Sequence, residues 1–159
     1  MNKFFAVAIA ALGMGSVMAQ TEFAWFSPTS GAFSFQAPKT WKKSEKEQFL
    51  SVSSPDGQIA LTASAYAKPT GDLREFANYR FESIESFYKM QGSEQKLVGG
   101  VFREYEGTWP GEKFPTYYVI SARRVAGGFV SLTVVTDRAD FKKNQAMYLQ
   151  IMQSAKIGP

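Results

Sequence analysis

The stretch Thr116 to Thr136, TYYVISARRVAGGFVSLTVVT, decides the fold. It reads as two long strands joined by a tight turn at Gly127-Gly128. Tyr117 and Val119 alternate with Tyr118, Ile120 and Ala122, and Val130, Leu132 and Val134 share one face of the return strand, the period of two that a sheet requires. So short a connection makes the pair antiparallel. Arg123 and Arg124 are the only charged residues in it. Adjacent on a strand, they point to opposite faces. One therefore approaches the sheet interior, where an unpaired charge is costly. Glu104 or Glu106 on the preceding strand is the expected partner, and recognition of an anionic ligand is the alternative.

Downstream, Asp137 or Asp140 caps a closing helix whose apolar side carries Phe141, Met147, Tyr148, Ile151, Met152 and Ala155. Upstream lies the loop Trp109 to Pro115, with two prolines. Before it come a strand from Val101 to Thr108 and a short one from Glu94 to Val98, turned by Gly99-Gly100. A helix begins at Asp72, with Glu75 three residues on as in a capping box, and Gly92 is its natural C-cap. Leu73, Phe76, Ala77, Arg80, Phe81, Ile84, Phe87 and Tyr88 recur along one side of it, and Arg80 is the charged member of that face. Further back, Ala32–Ala37, Gln48–Ser53 and Ile59–Tyr66 read as strands, separated by the lysine turn around Trp41 and by Pro55-Asp56-Gly57. The order is strands, helix, strands, helix with short connections. It predicts an α+β class, a largely antiparallel sheet of about six or seven strands with two amphipathic helices.

The chain has 159 residues, room for one domain. Residues 1–19 read as a signal peptide: Lys3, the apolar run Phe4 to Leu12, and Val17-Met18-Ala19 before Gln20. That run is shorter than the about 20 residues a membrane-spanning helix needs. Residues 20–31 form an aromatic arm with Phe23, Trp25 and Phe26, and residues 32–159 the domain. The expected location is periplasmic or secreted. The absence of cysteine rules out a lipobox anchor and disulfides, so the core must supply stability. A formal charge of +4, with Lys and Arg spread along the chain, calls for no nucleic acid.

Phe35, Pro38 and Trp41, in FSFQAPKTW, resemble the opening of the PsbP-like fold. The inserted helix, the long final hairpin and the ending Ile151-Met152-Gln153-Ser154-Ala155-Lys156 are similar to that family too, over about Ala32 to Ile157. The resemblance implies a protein-binding role, since its members include photosystem accessory subunits, a nuclear import factor, envelope lipoproteins and type VI effector chaperones. It also suggests an immunity or adaptor protein. The lack of cysteine and histidine means that neither lipidation nor the metal site of some members carries over.

Without His or Cys, a Ser-His-Asp triad, a thiol nucleophile and an ordinary zinc site are excluded. Two carboxylate pairs remain. Glu82 and Glu85 lie on one side of the helix. Glu104 and Glu106 share a strand face, roughly 7 Å apart by strand rise. Either pair could serve glycoside hydrolysis or hold calcium, against the plainer reading of a solvated face. Lys42 and Lys43 flank Trp41 among further lysines, as in an anion contact beside a stacking ring, but Glu45 and Glu47 cut that charge, and Trp41 also suits the core. Trp109, Glu112, Lys113 and Phe114 place interface-type rings on a loop. The expectation is a non-enzymatic, cofactor-free module that docks an envelope protein through Trp109, Glu112, Lys113, Phe114, Trp41, Lys42 and Lys43. The alternative is a small-molecule or glycan-binding protein, or a weak carboxylate-dependent hydrolase.

Overall fold

The computed structural model describes residues 21–46, 49–68, 70–108 and 111–159. The expected signal peptide lies outside the described residues, as does Trp109. The hairpin forms, with its turn one residue earlier than the expected Gly127-Gly128: β9 (Thr116–Val125) pairs antiparallel with β10 (Gly128–Thr136), from Val125↔Gly128 to Tyr117↔Thr136. The turn is Ala126-Gly127, with Gly127 at φ +86°, a left-handed conformation that favours glycine. Gly128 opens the return strand.

The hairpin is the centre of an eight-stranded antiparallel sheet. On the β10 side follow β5 (Ala60–Tyr66), β4 (Phe49–Ser53) and the edge strand β3 (Lys42–Lys46). On the β9 side lies β8 (Gly100–Gly107), which pairs with the short β6 (Lys89–Met90) and β7 (Gln95–Leu97). A second sheet joins β1 (Phe23–Phe26), β2 (Phe33–Pro38) and β11 (Lys156–Ile157).

Alternation along the strands gives the large sheet two apolar faces. Leu50, Val52, Leu61, Ala63, Val119, Val130, Leu132 and Val134 pack with Phe33 and Phe35 of β2, Phe141 of α2 (Arg138–Lys143), and Tyr148, Ile151 and Met152 of α3 (Gln145–Ser154). On the opposite face Tyr105, Ile120, Ala122 and Phe129 meet Phe76, Ala77, Phe81 and Ile84 of α1 (Leu73–Glu85). Burying one such side chain is worth about 1.5–3 kcal/mol, so both layers contribute to stability.

The α+β class and the antiparallel sheet are as read, but the elements are more numerous. Among the described residues there are eleven strands, because the arm pairs through β1, the lysine turn is itself an edge strand, and the two-residue β6 and β11 pair with β8 and β2. There are three helices, because Asn144, at φ −109° and ψ 20°, interrupts the closing helix between α2 and α3. Asp137 caps α2 by accepting from the Asp140 N–H at 2.7 Å. The inserted helix stops at Ser86, well short of Gly92. Its chain turns in through Phe87 and Tyr88 N–H bonds to the Ile84 carbonyl, which brings the Tyr88 ring to 4.4 Å from that of Tyr118. Gly92, at φ +81°, serves a later turn.

Candidate functional site

The inserted helix positions the site. Asp72 caps it, its carboxylate accepting from the N–H groups of Arg74 at 2.6 Å and Glu75 at 3.1 Å. This fixes the first turn beside the open end of β5 and places Phe76 inward, with Tyr79 and Arg80 on the flank toward β5. Phe76 stacks on Phe129 of β10 with centroids 5.1 Å apart. Tyr66, the last residue of β5, meets Phe76 edge-on at 5.4 Å and Tyr79 at 6.3 Å. Phe76 and Phe129 are buried, whereas Tyr66 is 42% and Tyr79 58% exposed. The result is a solvent-open groove of about 380 Å³ with an apolar floor and tyrosine walls, completed by Lys68, Asp72 and Glu75. Arg124 braces two of its lining residues, lying 4.5 Å over the Phe129 ring and donating to the Gly71 carbonyl. The Tyr79 hydroxyl, with a smaller effect of burial, raises the pKa of the Tyr66 phenol.

A second groove, of about 730 Å³, shares Tyr66 and Tyr79 and so adjoins the first. It runs around the end of β5, from Ser64 and Arg80 on the α1 face to Pro28, Thr29, Ser30 and Glu45. Glu45 is fully engaged there. It accepts from the Thr29 N–H at 2.9 and 3.0 Å and from the Thr29 hydroxyl, and it pairs with Lys43 at 3.1 Å. The Thr29 N–H, then Lys43, hold its pKa below the ordinary carboxylate value.

The residues expected to bind a partner lie in separate places. Trp41 is 8% exposed and belongs to the core, where its large apolar ring gains most from burial, so it is not available to a partner. Lys42 and Lys43 are exposed on β3, and Lys43 also donates to the Ser27 carbonyl at 2.6 Å. Glu112, Lys113 and Phe114 precede β9, at the opposite end of the hairpin from the groove. Glu112 accepts from the Thr116 hydroxyl at 3.3 Å, and Phe114 is 77% exposed.

The carboxylate pairs do not converge. Glu85 accepts from Arg103 at 2.7 Å and from the Tyr105 hydroxyl at 2.8 Å on the α1 face, while Glu82 is exposed. Glu104, 2% exposed, faces the α2 side, accepting from Lys142 at 2.6 Å, Gln95 at 2.5 Å and the Tyr117 hydroxyl. Glu106 pairs instead with Arg138 at 3.6 Å. None of the four lines either groove. Arg123 also departs from expectation: among the described residues it pairs with no carboxylate and donates to backbone carbonyls. Sequence reasoning missed Ser64, Tyr66 and Tyr79 as site residues. The available signal was Arg80, a cation on a helix face otherwise built for burial.

An antiparallel sheet covered by one inserted helix on one face and by two closing helices on the other defines the class, the PsbP-like fold. The chain resembles the solution structure of cyanobacterial PsbP (CyanoP) from Synechocystis sp. PCC 6803 with a TM-score of 0.57 and 12% identity, over 92% of this chain and 98% of that one. It also matches PA94 from Pseudomonas aeruginosa, described as a putative regulator of unknown function, with a TM-score of 0.49 and 14% identity over 83% and 94% of the two chains. A third match is LpqN of Mycobacterium tuberculosis, described as involved in cell envelope biogenesis, with a TM-score of 0.47 and 10% identity over 87% and 91%. No protein-family model matches the sequence, and no curated protein does so significantly. Among the described residues no helix is long and apolar enough to cross a membrane.

Proposed function

We propose that this protein is an exported, non-enzymatic binding module of the bacterial envelope that docks a protein partner through the tyrosine-walled groove. The observation that carries this reading is the pair Tyr66 and Tyr79, 42% and 58% exposed over a buried Phe76–Phe129 floor. Tyrosine rings held against packed neighbours are typical interface anchors, because they offer large contact area at low entropic cost. Phe114, 77% exposed on its loop, adds a second apolar contact at the far end of the hairpin. Export follows from the leader read in residues 1–19. An immunity or adaptor role is the concrete form within this class, and it rests on likeness of fold, which does not itself define function. The hydrolase alternative gains nothing from the geometry, because the four expected carboxylates lie on different faces and outside both grooves.

The test is site-specific photo-crosslinking in envelope extracts. A photoreactive residue at position 79 of the mature protein should capture a discrete protein, while one at Lys143, on α2, should not. Crosslinks at Phe114 alone would move the site to the loop. None at either position would refute the docking reading.

A further inference from the structure

Ser64 Oγ is the one buried side-chain polar atom among the described residues without a hydrogen-bond partner. A buried hydroxyl left unsatisfied is unfavourable, so its position calls for an explanation. It sits opposite Ser131 in the β5–β10 register, and the Ser131 hydroxyl accepts from Arg80 Nε at 3.2 Å. Arg80 is half-buried on the flank of α1. The chain's other arginines are all satisfied otherwise. Arg74, Arg103 and Arg138 have carboxylates, and Arg123 and Arg124 donate to carbonyls. Arg80 alone is fixed at its inner nitrogen by a serine, with no carboxylate paired to it among the described residues. Its two terminal nitrogens keep the planar fork that matches a carboxylate. The carboxylate lining the same groove, Glu45, is already held by Thr29 and Lys43.

We infer that Arg80 and Ser64 receive an acidic side chain of an extended segment of the protein partner, whose neighbouring apolar side chain enters the groove beside the Tyr66–Tyr79 pair, over Phe76 and Phe129. This rests on the docking reading and adds the chemistry of the partner. Two adjoining grooves, both open to solvent, suit a chain segment better than a small molecule, which is usually enclosed. Pairing of β4 with β5 stops at Leu50↔Ala63, so the backbone of Ser64 and Ala65 borders the groove where an extended segment would run. Arg80 in one groove and Lys68 in the other are the cations that an acidic side chain complements.

The experiment uses labelled octapeptide pools with one Glu placed one to three residues from a Phe or Leu, beside pools with Gln or Lys in its place. Fluorescence polarisation with the mature protein should show the Glu pool bound about tenfold or more tighter than the Gln pool. R80E should reverse the preference toward the Lys pool. R80Q should abolish the preference for Glu over Gln, which keeps the test decisive if R80E does not fold. Equal binding of the pools, or an unchanged preference in R80E or R80Q, would overturn the inference. Competition by 3-phenylpropionate at the concentration effective for the peptide would overturn the chain-segment part and assign the site to a small carboxylate. Inorganic phosphate should not compete, and competition by it would overturn the assignment to a carboxylate. If no pool binds while the crosslink at position 79 forms, the carboxylate inference fails and the docking reading stands. If the Glu pool binds and no crosslink forms, the carboxylate site stands and docking of an envelope protein fails.

Discussion

Arg123 donates through Nη1 to the carbonyl of Met152 at 2.9 Å, so a buried guanidinium from the central hairpin closes the end of α3. The same nitrogen reaches the carbonyls of Gln153 at 2.6 Å and Ala155 at 3.3 Å, and Nε reaches that of Val98 at 2.8 Å. The last carbonyls of a helix have no partner within it, and a cation there also meets the negative end of the helix dipole. The charge is thus compensated by backbone rather than by a carboxylate.

R123M should lower unfolding stability by about 3 kcal/mol or more, because it leaves several buried carbonyls unsatisfied. R123K should recover only part of this, since an ammonium cannot span the two sides that the fork reaches. Urea denaturation followed by circular dichroism measures both. A loss under about 1 kcal/mol in R123M would show that these bonds do not hold α3 in place.

Glu104 sets an acid limit. Burial raises its pKa, but Lys142, Tyr117 and Gln95 together outweigh burial, and the net shift is downward. A carboxylate with a depressed folded pKa adds stability that is fully present above its unfolded value of about 4.3 and is lost as pH falls through the folded value. The stability gap between the wild type and E104Q should therefore be widest above about pH 5 and narrow steadily below it. A gap independent of pH between about 3 and 6 would contradict the shift.

Much of the fold was legible in the sequence because periodicity is read locally. The 116–136 hairpin, the Asp72 cap and the apolar stripe of the inserted helix each depend on residues close in sequence. The end of that helix was misread because Gly92 is a good local stop signal, whereas burial of Tyr88 against Tyr118 is a tertiary effect. Likewise Trp25 and Phe26 announced an aromatic arm, but its pairing with β2 depends on register with a strand several residues away. The groove was hardest to read. Ser64, Tyr66, Arg80 and Phe129 are brought together by sheet order, and only the cation on an apolar helix face hinted at it.

Two adjacent glycines should respond differently to substitution. A Cβ at Gly127 would be 3.8 Å from Ile157, an ordinary contact, and asparagine tolerates its left-handed φ. G127N should cost no more than about 1 kcal/mol. A Cβ at Gly128 would lie 2.0 Å from the Tyr66 carbonyl and 2.7 Å from the Lys68 N–H nitrogen, which are backbone atoms that cannot move aside. G128A should cost about 3 kcal/mol or more and distort the end of β5 where Tyr66 stands. Thermal melts of the two variants decide it, and equal melting temperatures would rule out the close approach.

The charged edge of the large sheet is expected to keep it from pairing with other chains. β3 is an outermost strand, and Lys42 and Ser44 are exposed on one side of it, while Lys43 and Glu45 on the other tether the Ser27–Thr29 loop. Exposed edge strands invite pairing, and lysine on the edge opposes it because joining two such edges would bring like charges together and strip their water. K42V/S44V leaves the Lys43 and Glu45 tethers intact while making the edge apolar and β-branched. It should keep the circular dichroism spectrum of the wild type yet associate more strongly with concentration in sedimentation velocity. Association no stronger than that of the wild type would mean that other features protect this edge.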